Sequence, residues 1–417
     1  MVARIAVTGM GLVSPLGLDV RSYWHGLLEG RSGVSFITAF PTERLRSDIA
    51  AQITDFDPSR WLDDKEQVIY GRVVQFAVAA AAEAIAEAKL DAIDKTRVGV
   101  LLSTGQGAVE IFEEQIKRSN ERGPRAVSPY FIPGVMLNAV SAVVTVKHGF
   151  MGPSFNIASA CATASHSIAV SAMMLLSGEA DVMIAGGGEA ATRLNTVAGF
   201  GNARALARAF QGDPTRASRP YDADRSGFVM GEGAGALVLE TEAHAKARGA
   251  TPLAYVVGWG MSSDAEHITR PHPDGLGLRL AIEAALRRAA ISPSEVGYIN
   301  PHATSTPQGD IAEYHSLKQV FGSALPQVPI SATKSMIGHL LGGAGAAEAI
   351  AVVCSLRDQR LHPSINVDRL DPIFEIDLVR RARKCDVRYA ISSSAGFGGH
   401  NCVLAFERAA EGREPAR

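Results

Sequence analysis

Cys161 is the residue in this chain best placed to act as a nucleophile. It immediately precedes residues 162–177, a run that is helical in pattern, carries no charge and is rich in small residues (Ala162, Ala164, Ser165, Ala169, Ala172). A helix without a polar face is buried on nearly all sides. The free N–H groups and dipole at its start favour an anion, so the thiol pKa is expected to fall. A small core cysteine is the ordinary alternative. Three further motifs weigh against it. His302 lies in Asn300-Pro301-His302-Ala303-Thr304-Ser305-Thr306-Pro307, directly after a strand. Lys334 and His339 stand five apart in Lys334-Ser335-Met336-Ile337-Gly338-His339. Gly396-Phe397-Gly398-Gly399-His400-Asn401 is a glycine loop able to offer a backbone N–H to an oxyanion. Singly, these read as a structural histidine, a surface lysine and a turn. With Cys161 they supply a nucleophile, two imidazoles and a cation.

The elements that must position these residues repeat. Residues 155–158 read as a strand, followed by a sharp turn, the 162–177 helix and a strand over 181–185 closed by Gly186, Gly187 and Gly188. Upstream, the pattern predicts strands over 4–13 and 98–102, helices over 67–88, 111–122 and 134–146, and a long loop over 190–232. A strand over 233–240 and a helix over 241–249 follow. From Leu253 the order starts again. Residues 254–260 resemble 5–11, the helix 278–290 and strand 296–300 follow, and 328–331 leads into a Gly/Ala-rich helix over 338–356. Strands over 390–394 and 401–406 close the chain. The expected organisation is α/β, in two pseudo-symmetric halves. Residues 1–250 carry Cys161; residues 251–417 carry His302, Lys334, His339 and the Phe397 loop. Alternation of strands and helices implies mostly parallel sheets covered on both faces. The two small-residue helices are expected to pack side by side, bringing His339, at the start of the second, close to Cys161.

Composition narrows the rest. A chain of 417 residues, 47% hydrophobic, buries a large core, and a formal charge of −2 gives no support for nucleic-acid binding. Four cysteines without paired spacing argue against a disulfide framework or a zinc site. No apolar run reaches the ~20 residues of a membrane span, and no signal peptide is apparent, so a cytoplasmic protein is expected. The polar tail after Phe406 is expected to fray. Cys354, Cys385 and Cys402 read as packing residues, and His166 as a structural histidine.

Together these motifs resemble the β-ketoacyl-acyl-carrier-protein synthases, condensing enzymes of the thiolase superfamily, and most of all their elongating, II-type members. The likeness runs from Val7-Thr8-Gly9-Met10-Gly11 to Gly398-Gly399-His400-Asn401. It includes Ser218-Arg219-Pro220-Tyr221-Asp222, Asp224-Arg225-Ser226-Gly227-Phe228 and Gly231-Glu232-Gly233. The resemblance implies a five-layered αβαβα fold and a homodimer. It implies no cofactor beyond the phosphopantetheine borne by an acyl carrier protein, and no stable metal. Cys161 would take an acyl chain, with the N–H groups of Cys161 and Phe397 as oxyanion hole. His302 and His339 would assist loss of CO2 from a malonyl-carrier protein. Lys334 would bias the electrostatics, with Glu313 as its partner and Asp310 in support. Thr304 and Thr306 would meet the pantetheine arm, Thr269 would lie near it, and Phe397 would gate the site with Phe200, Gly398 and Gln106 around the substrate. Asn300, Glu313, Glu348, Ser392 and Ser393 match a site that in some members holds a monovalent cation.

Four features depart from the family pattern. Ala303 replaces a glycine and Pro301 precedes His302. Gln106 stands where an aliphatic side chain usually lines the acyl pocket, and a buried amide needs a partner. The basic stretch near Lys65 is diluted by Asp63, Asp64 and Glu66, leaving Arg125, Arg204 and Arg208 to meet an acidic carrier protein. Arg270 adjoins Thr269. These features keep open a dedicated polyketide, polyene or modified acyl-chain pathway, with a heterodimer partner of the chain-length-factor kind. A thiolase would need a second cysteine as base where Gly396–Asn401 carries histidine. An initiating synthase would carry asparagine where His339 stands.

Overall fold

Two stretches of alternating glycine serve one packing device used twice. In β1 (Ile5–Val13), a Cβ on Gly9 or Gly11 would lie 2.2 or 1.9 Å from the carbonyl oxygens of Ala84 and Ala80 in α1 (Arg72–Ala88). In β5 (Ala254–Ser263), a Cβ on Gly258 or Gly260 would lie 2.3 or 1.9 Å from the carbonyl oxygens of Ala285 and Ala281 in α4 (Leu276–Ala289). Each helix therefore rests directly on strand backbone, which only glycine permits.

A computed structural model describes residues 4–409. Glu407 and Arg408 end the last strand and Ala409 packs against the core of the second half, whereas residues 410–417 of the tail expected to fray lie outside the described residues. The remaining strands of the large sheet are β2 (Val98–Ser103), β3 (Val182–Glu189), β4 (Gly233–Thr241), β6 (Val296–Asn300), β7 (Pro329–Ile330), β8 (Asp377–Leu378), β9 (Tyr389–Gly396) and β10 (His400–Arg408). Their order is β8-β7-β6-β9-β10-β5-β1-β4-β3-β2. The set β2-β3-β4-β1 pairs parallel, antiparallel, antiparallel, and β6-β9-β10-β5 repeats that sequence. The halves meet where Ile5–Val7 pairs antiparallel with Ala254–Val256. The sheet is thus mixed rather than mostly parallel. In each half the last two strands run antiparallel: β9 and β10 as a hairpin, β3 and β4 across the long 190–232 connection, and alternating strand and helix patterns do not disclose this pairing.

Three apolar cores stack the layers. One lies between α1, α2 (Ala139–His148) and one face of β1–β4. A second lies between α4, α5 (Pro307–Phe321) and a face of the second half. The third fills the middle, where α3 (Thr163–Leu176) and α6 (Ala344–Asp358) share a core with side chains from both halves, including Leu237 and Leu404. This gives the αβαβα arrangement.

The central helices touch through missing side chains. A Cβ on Gly345 would lie 2.1 Å from Ser165 Oγ, and one on Gly343 3.0 Å from Gly188 Cα. Gly186–Gly188 therefore belong inside β3 rather than closing it.

Other expected boundaries shift. Residues 155–158 form no strand; only Ser154 bridges to Val100. The helix expected over 67–88 is broken at Tyr70 and Gly71, and that over 134–146 divides into Phe131–Val135 and Ala139–His148. The 190–232 region contains a helix, Leu194–Asn202.

Candidate active site

Cys161 sits one turn before α3, in a 3-10 turn over Ala160–Ala162. Ala160 holds φ at 50°, a left-handed conformation that an alanine adopts at some cost. The same elbow recurs before α6, where Leu341 has φ 48° ahead of the turn Leu341–Gly343. The strained residue turns Cys161 out of the core and into a cavity of about 930 Å³. Gly396 lets the Phe397 loop close on it, since a Cβ there would stand 3.1 Å from the Cys161 nitrogen. The N–H groups of Phe397 and of Cys161 itself are directed at the sulfur.

His302 and His339 complete the group. One ring nitrogen from each and the Cys161 sulfur all lie within 4.8 Å of one another, and the rings meet edge to face at 5.3 Å. The pairing of α3 with α6 thus brings Cys161 and His339 together as expected. His339 is not, however, at the start of α6. It lies in the connection after the turn Lys334–Ile337, donating its N–H to the Val229 carbonyl at 2.7 Å and accepting from Gly231 at 2.8 Å. Gly231, the first residue of the Gly231-Glu232-Gly233 motif, therefore holds a histidine from the other half. Both ring nitrogens of His339 lack a hydrogen-bond partner among the described residues.

His302 is fixed from beneath. Glu313 accepts from the N–H groups of His302 and Ala303, each at 2.7 Å, and from Ser393 Oγ at 2.6 Å. Glu313 does not pair with Lys334, as the sequence had suggested. The buried Lys334 ion-pairs with Glu348, and its Nζ approaches His302 Nδ1 at 3.4 Å. An ammonium only donates, so Nδ1 accepts and the His302 proton resides on Nε2. Asp310 accepts from Tyr221 and Ser305 N–H groups at 3.0 and 3.1 Å, tying the Ser218–Asp222 motif to the threonine loop.

Burial sets the protonation states. It pushes the Cys161 thiol up to about 11, although Lys334 and the Phe397 N–H oppose this. The expected lowering by the helix start is overturned, because desolvation of the anion outweighs a terminus one turn away. Burial, followed by the Lys334 charge, holds His302 and His339 well below the usual imidazole range, so both are neutral. The group is a neutral thiol facing two neutral imidazoles, a combination suited to moving one proton and donating to a developing oxyanion.

The same cavity is bordered by Gln106, Phe200, Thr269, Thr304, Thr306, Phe397 and Gly398. Thr304 and Thr306 hydroxyls are 3.0 Å apart. Phe200 links Phe397, at 6.1 Å, to Phe228, which contacts His339 at 5.5 Å. Gln106 is exposed at the cavity wall rather than buried. Lys334, Asp310, Asn300, Glu348, Ser392 and Ser393 lie behind this surface and do not border it. Sequence reasoning passed over Glu189, which accepts from Thr104 Oγ1 and the N–H groups of Gly105, Gln106 and Gly342. Its only signal was an acid ending a glycine-rich strand. His166 is satisfied, with Nδ1 2.8 Å from Ser159 Oγ.

The proposed cation residues include three buried oxygens without a hydrogen-bond partner among the described residues: Asn300 Oδ1, Glu348 Oε2 and Ser392 Oγ. Asn300 and Ser392 are paired across β6 and β9. Such orphaned oxygens fit a monovalent cation.

Comparison with known proteins agrees with this geometry. Residues 2–245 match the model of the β-ketoacyl synthase N-terminal domain, and residues 253–368 that of the C-terminal domain. The chain belongs to the β-ketoacyl synthase family. Among members of this family it is 44% identical to the 3-oxoacyl-[acyl-carrier-protein] synthase 2 of Vibrio harveyi, over 98% of this chain and 99% of that one. The ishigamide ketosynthase/chain length factor structure superposes with a TM-score of 0.91 at 33% identity, over 98% of this chain and 100% of that one. A type II polyketide ketosynthase solved with its acyl-carrier protein and bound hexaketide superposes with a TM-score of 0.91 at 30% identity, with the same coverage. The fold is the thiolase-like fold of ketosynthases, and the chain is a condensing enzyme of the acyltransferase class. No described helix is long and apolar enough to cross a membrane.

Proposed function

We propose that this chain elongates acyl chains by decarboxylative Claisen condensation. The Cys161 sulfur attacks an acyl thioester delivered by an acyl carrier protein. The thiol proton passes to His339, whose ring nitrogens are unpartnered, and on to the departing carrier thiolate. The N–H groups of Cys161 and Phe397 stabilise the tetrahedral oxyanion. Malonyl-carrier protein then occupies the cavity. Its carboxylate leaves as CO2, and the electron pair moves onto the thioester, where His302 Nε2–H and His339 donate to the enolate oxygen. The enolate carbon attacks the acyl-Cys161 carbonyl, expelling the sulfur as thiolate. One proton from solvent restores the thiol, and 3-oxoacyl-carrier protein departs.

Lys334 acts as a positioning residue, fixing the His302 tautomer. Asn300, Glu348 and Ser392 would hold a monovalent cation that supplies positive charge beside Glu313; no other cofactor is required. Arg204, exposed at the cavity, and Arg125 and Arg208 offer charge to an acidic carrier protein. Exposed Val146, Met151, Phe155 and Met173 beside the Ser154 edge support a homodimer.

The observation that carries this reading is the convergence of the Cys161 sulfur with both imidazoles within 4.8 Å in a solvent-connected cavity. A direct test incubates the enzyme with acyl- and malonyl-carrier proteins and measures CO2 and 3-oxoacyl product in equal amounts. Release of neither, across short and long acyl chains, would remove the reading. The exposed Gln106 amide favours a second pathway assignment, in which a more polar or unsaturated chain is extended in polyketide-like synthesis, with a chain-length-factor-like partner.

A further inference from the structure

The outer rim of the cavity, residues 264–275, carries a guanidinium that the condensation chemistry does not use. Arg270 borders the main cavity and also a small adjoining pocket. It is exposed and makes no ion pair among the described residues. Glu266 shares the small pocket without bonding to it. The backbone presenting Arg270 is nonetheless well fixed. His267 Nδ1 accepts from the N–H groups of Thr269 and Arg270 at 3.1 and 3.3 Å. Asp264 accepts from His272 N–H at 3.2 Å and from Asn401 Nδ2 at 2.7 Å. The Ile268 carbonyl accepts from Gly398 N–H at 2.7 Å, which ties the rim to the loop carrying Phe397. With Nδ1 accepting, His267 carries its proton on Nε2, a second donor on the same wall.

A fixed loop that ends in an unpaired arginine at the mouth of a deep cavity is arranged for an anion. Guanidinium presents forked donors that match phosphate oxygens, and charge at a mouth raises the local concentration of an anionic ligand. We propose that Arg270, assisted by His267, receives the phosphate at the outer end of the substrate's pantetheine arm. The proposal rests on the condensing role given to the site above. That phosphate occurs both on a carrier protein and in coenzyme A; the carrier protein is the source assigned here.

The test compares malonyl donors built on the carrier protein, on coenzyme A, on free phosphopantetheine and on pantetheine lacking the phosphate. Wild type and Arg270→Gln are assayed on each. Wild type is expected to show a KM about tenfold lower for phosphopantetheine than for pantetheine thioester, the scale of one charged hydrogen-bonded contact. In Arg270→Gln the KM for the carrier-borne and phosphopantetheine donors rises about tenfold with kcat little altered, and the phosphate preference disappears. Arg270→Lys retains part of it. A phosphate preference equal in wild type and Arg270→Gln overturns the proposal. So does an equal loss on the dephosphorylated donor, which would signal a disturbed loop. A loss confined to coenzyme A overturns the carrier assignment. Failure of wild type on every donor would instead overturn the condensing role, and the proposal with it.

Discussion

Lys334 Nζ lies 3.4 Å from His302 Nδ1, with both side chains buried and the lysine held by Glu348. A cation fixed against one ring nitrogen dictates that the other carries the proton, and repels a second proton from the ring. One contact thus sets both the tautomer and the charge of His302.

Removing that contact gives the first prediction. Lys334→Met releases the His302 tautomer and leaves Glu348 buried without its cation. Decarboxylation of malonyl-carrier protein is expected to fall on the order of a hundredfold, the scale of losing an aligned donor. His302 is held low chiefly by burial and next by Lys334. Its pKa therefore rises in the variant, and the acid limb of the pH–rate profile moves to higher pH. The profile of CO2 release between pH 4 and 8 reads this out. An unmoved limb would show that Lys334 does not govern His302.

The thiol yields a second prediction. With its pKa pushed up to about 11, Cys161 is protonated at pH 7. Alkylation by iodoacetamide, which has no use for a nearby base, should be slow at pH 7 and keep rising up to about pH 11. A plateau near pH 7 would mean that the sulfur is already thiolate.

A third concerns Gln106. Its amide faces the cavity where an apolar side chain would better accompany a long saturated chain. Gln106→Ile should shift the accepted acyl chains towards greater length by several carbons, seen as a change in kcat/KM across a ladder of acyl-carrier proteins. The same profile in both enzymes would place Gln106 outside the acyl path.

The close approach of α3 and α6 gives a fourth. Gly345→Val must displace Ser165, whose Oγ occupies the space of the new Cβ. A loss of about 1–3 kcal/mol or more is expected from overpacking, measured by denaturant unfolding. Stability equal to wild type would mean that the two helices separate freely.

The orphaned oxygens give a fifth. Potassium or sodium at millimolar concentration should raise the melting temperature of wild type, and Ser392→Ala or Asn300→Ala should diminish that response. Identical melting with and without the ion, in a bulky-cation buffer, would show that no cation binds there.

Much of this site was legible in the sequence because chemistry-bearing residues sit at chain reversals that repeat between halves. The Gly-x-Gly pairs at Gly9 and Gly258 mark both halves, and the small-residue helices forecast the meeting of Cys161 with His339. What stayed hidden depends on burial and on partners distant in the chain. Glu348 reaches Lys334 from inside a buried helix with no polar face to advertise it, whereas the resemblance had pointed to Glu313. The thiol pKa followed desolvation, which local sequence does not report. The parallel reading of the sheet failed because β4 and β10, buried on both faces, are as apolar as parallel core strands yet pair antiparallel with β3 and β9.

The central claim is that Cys161 carries the acyl chain. Intact-mass measurement with peptide mapping, after incubation with acyl-carrier protein alone, tests it most directly. The account predicts a single acyl increment on the peptide containing Cys161, discharged as 3-oxoacyl-carrier protein when malonyl-carrier protein is added, and absent in Cys161→Ala. An acyl group on another residue, or condensation by Cys161→Ala at the wild-type rate, would contradict it.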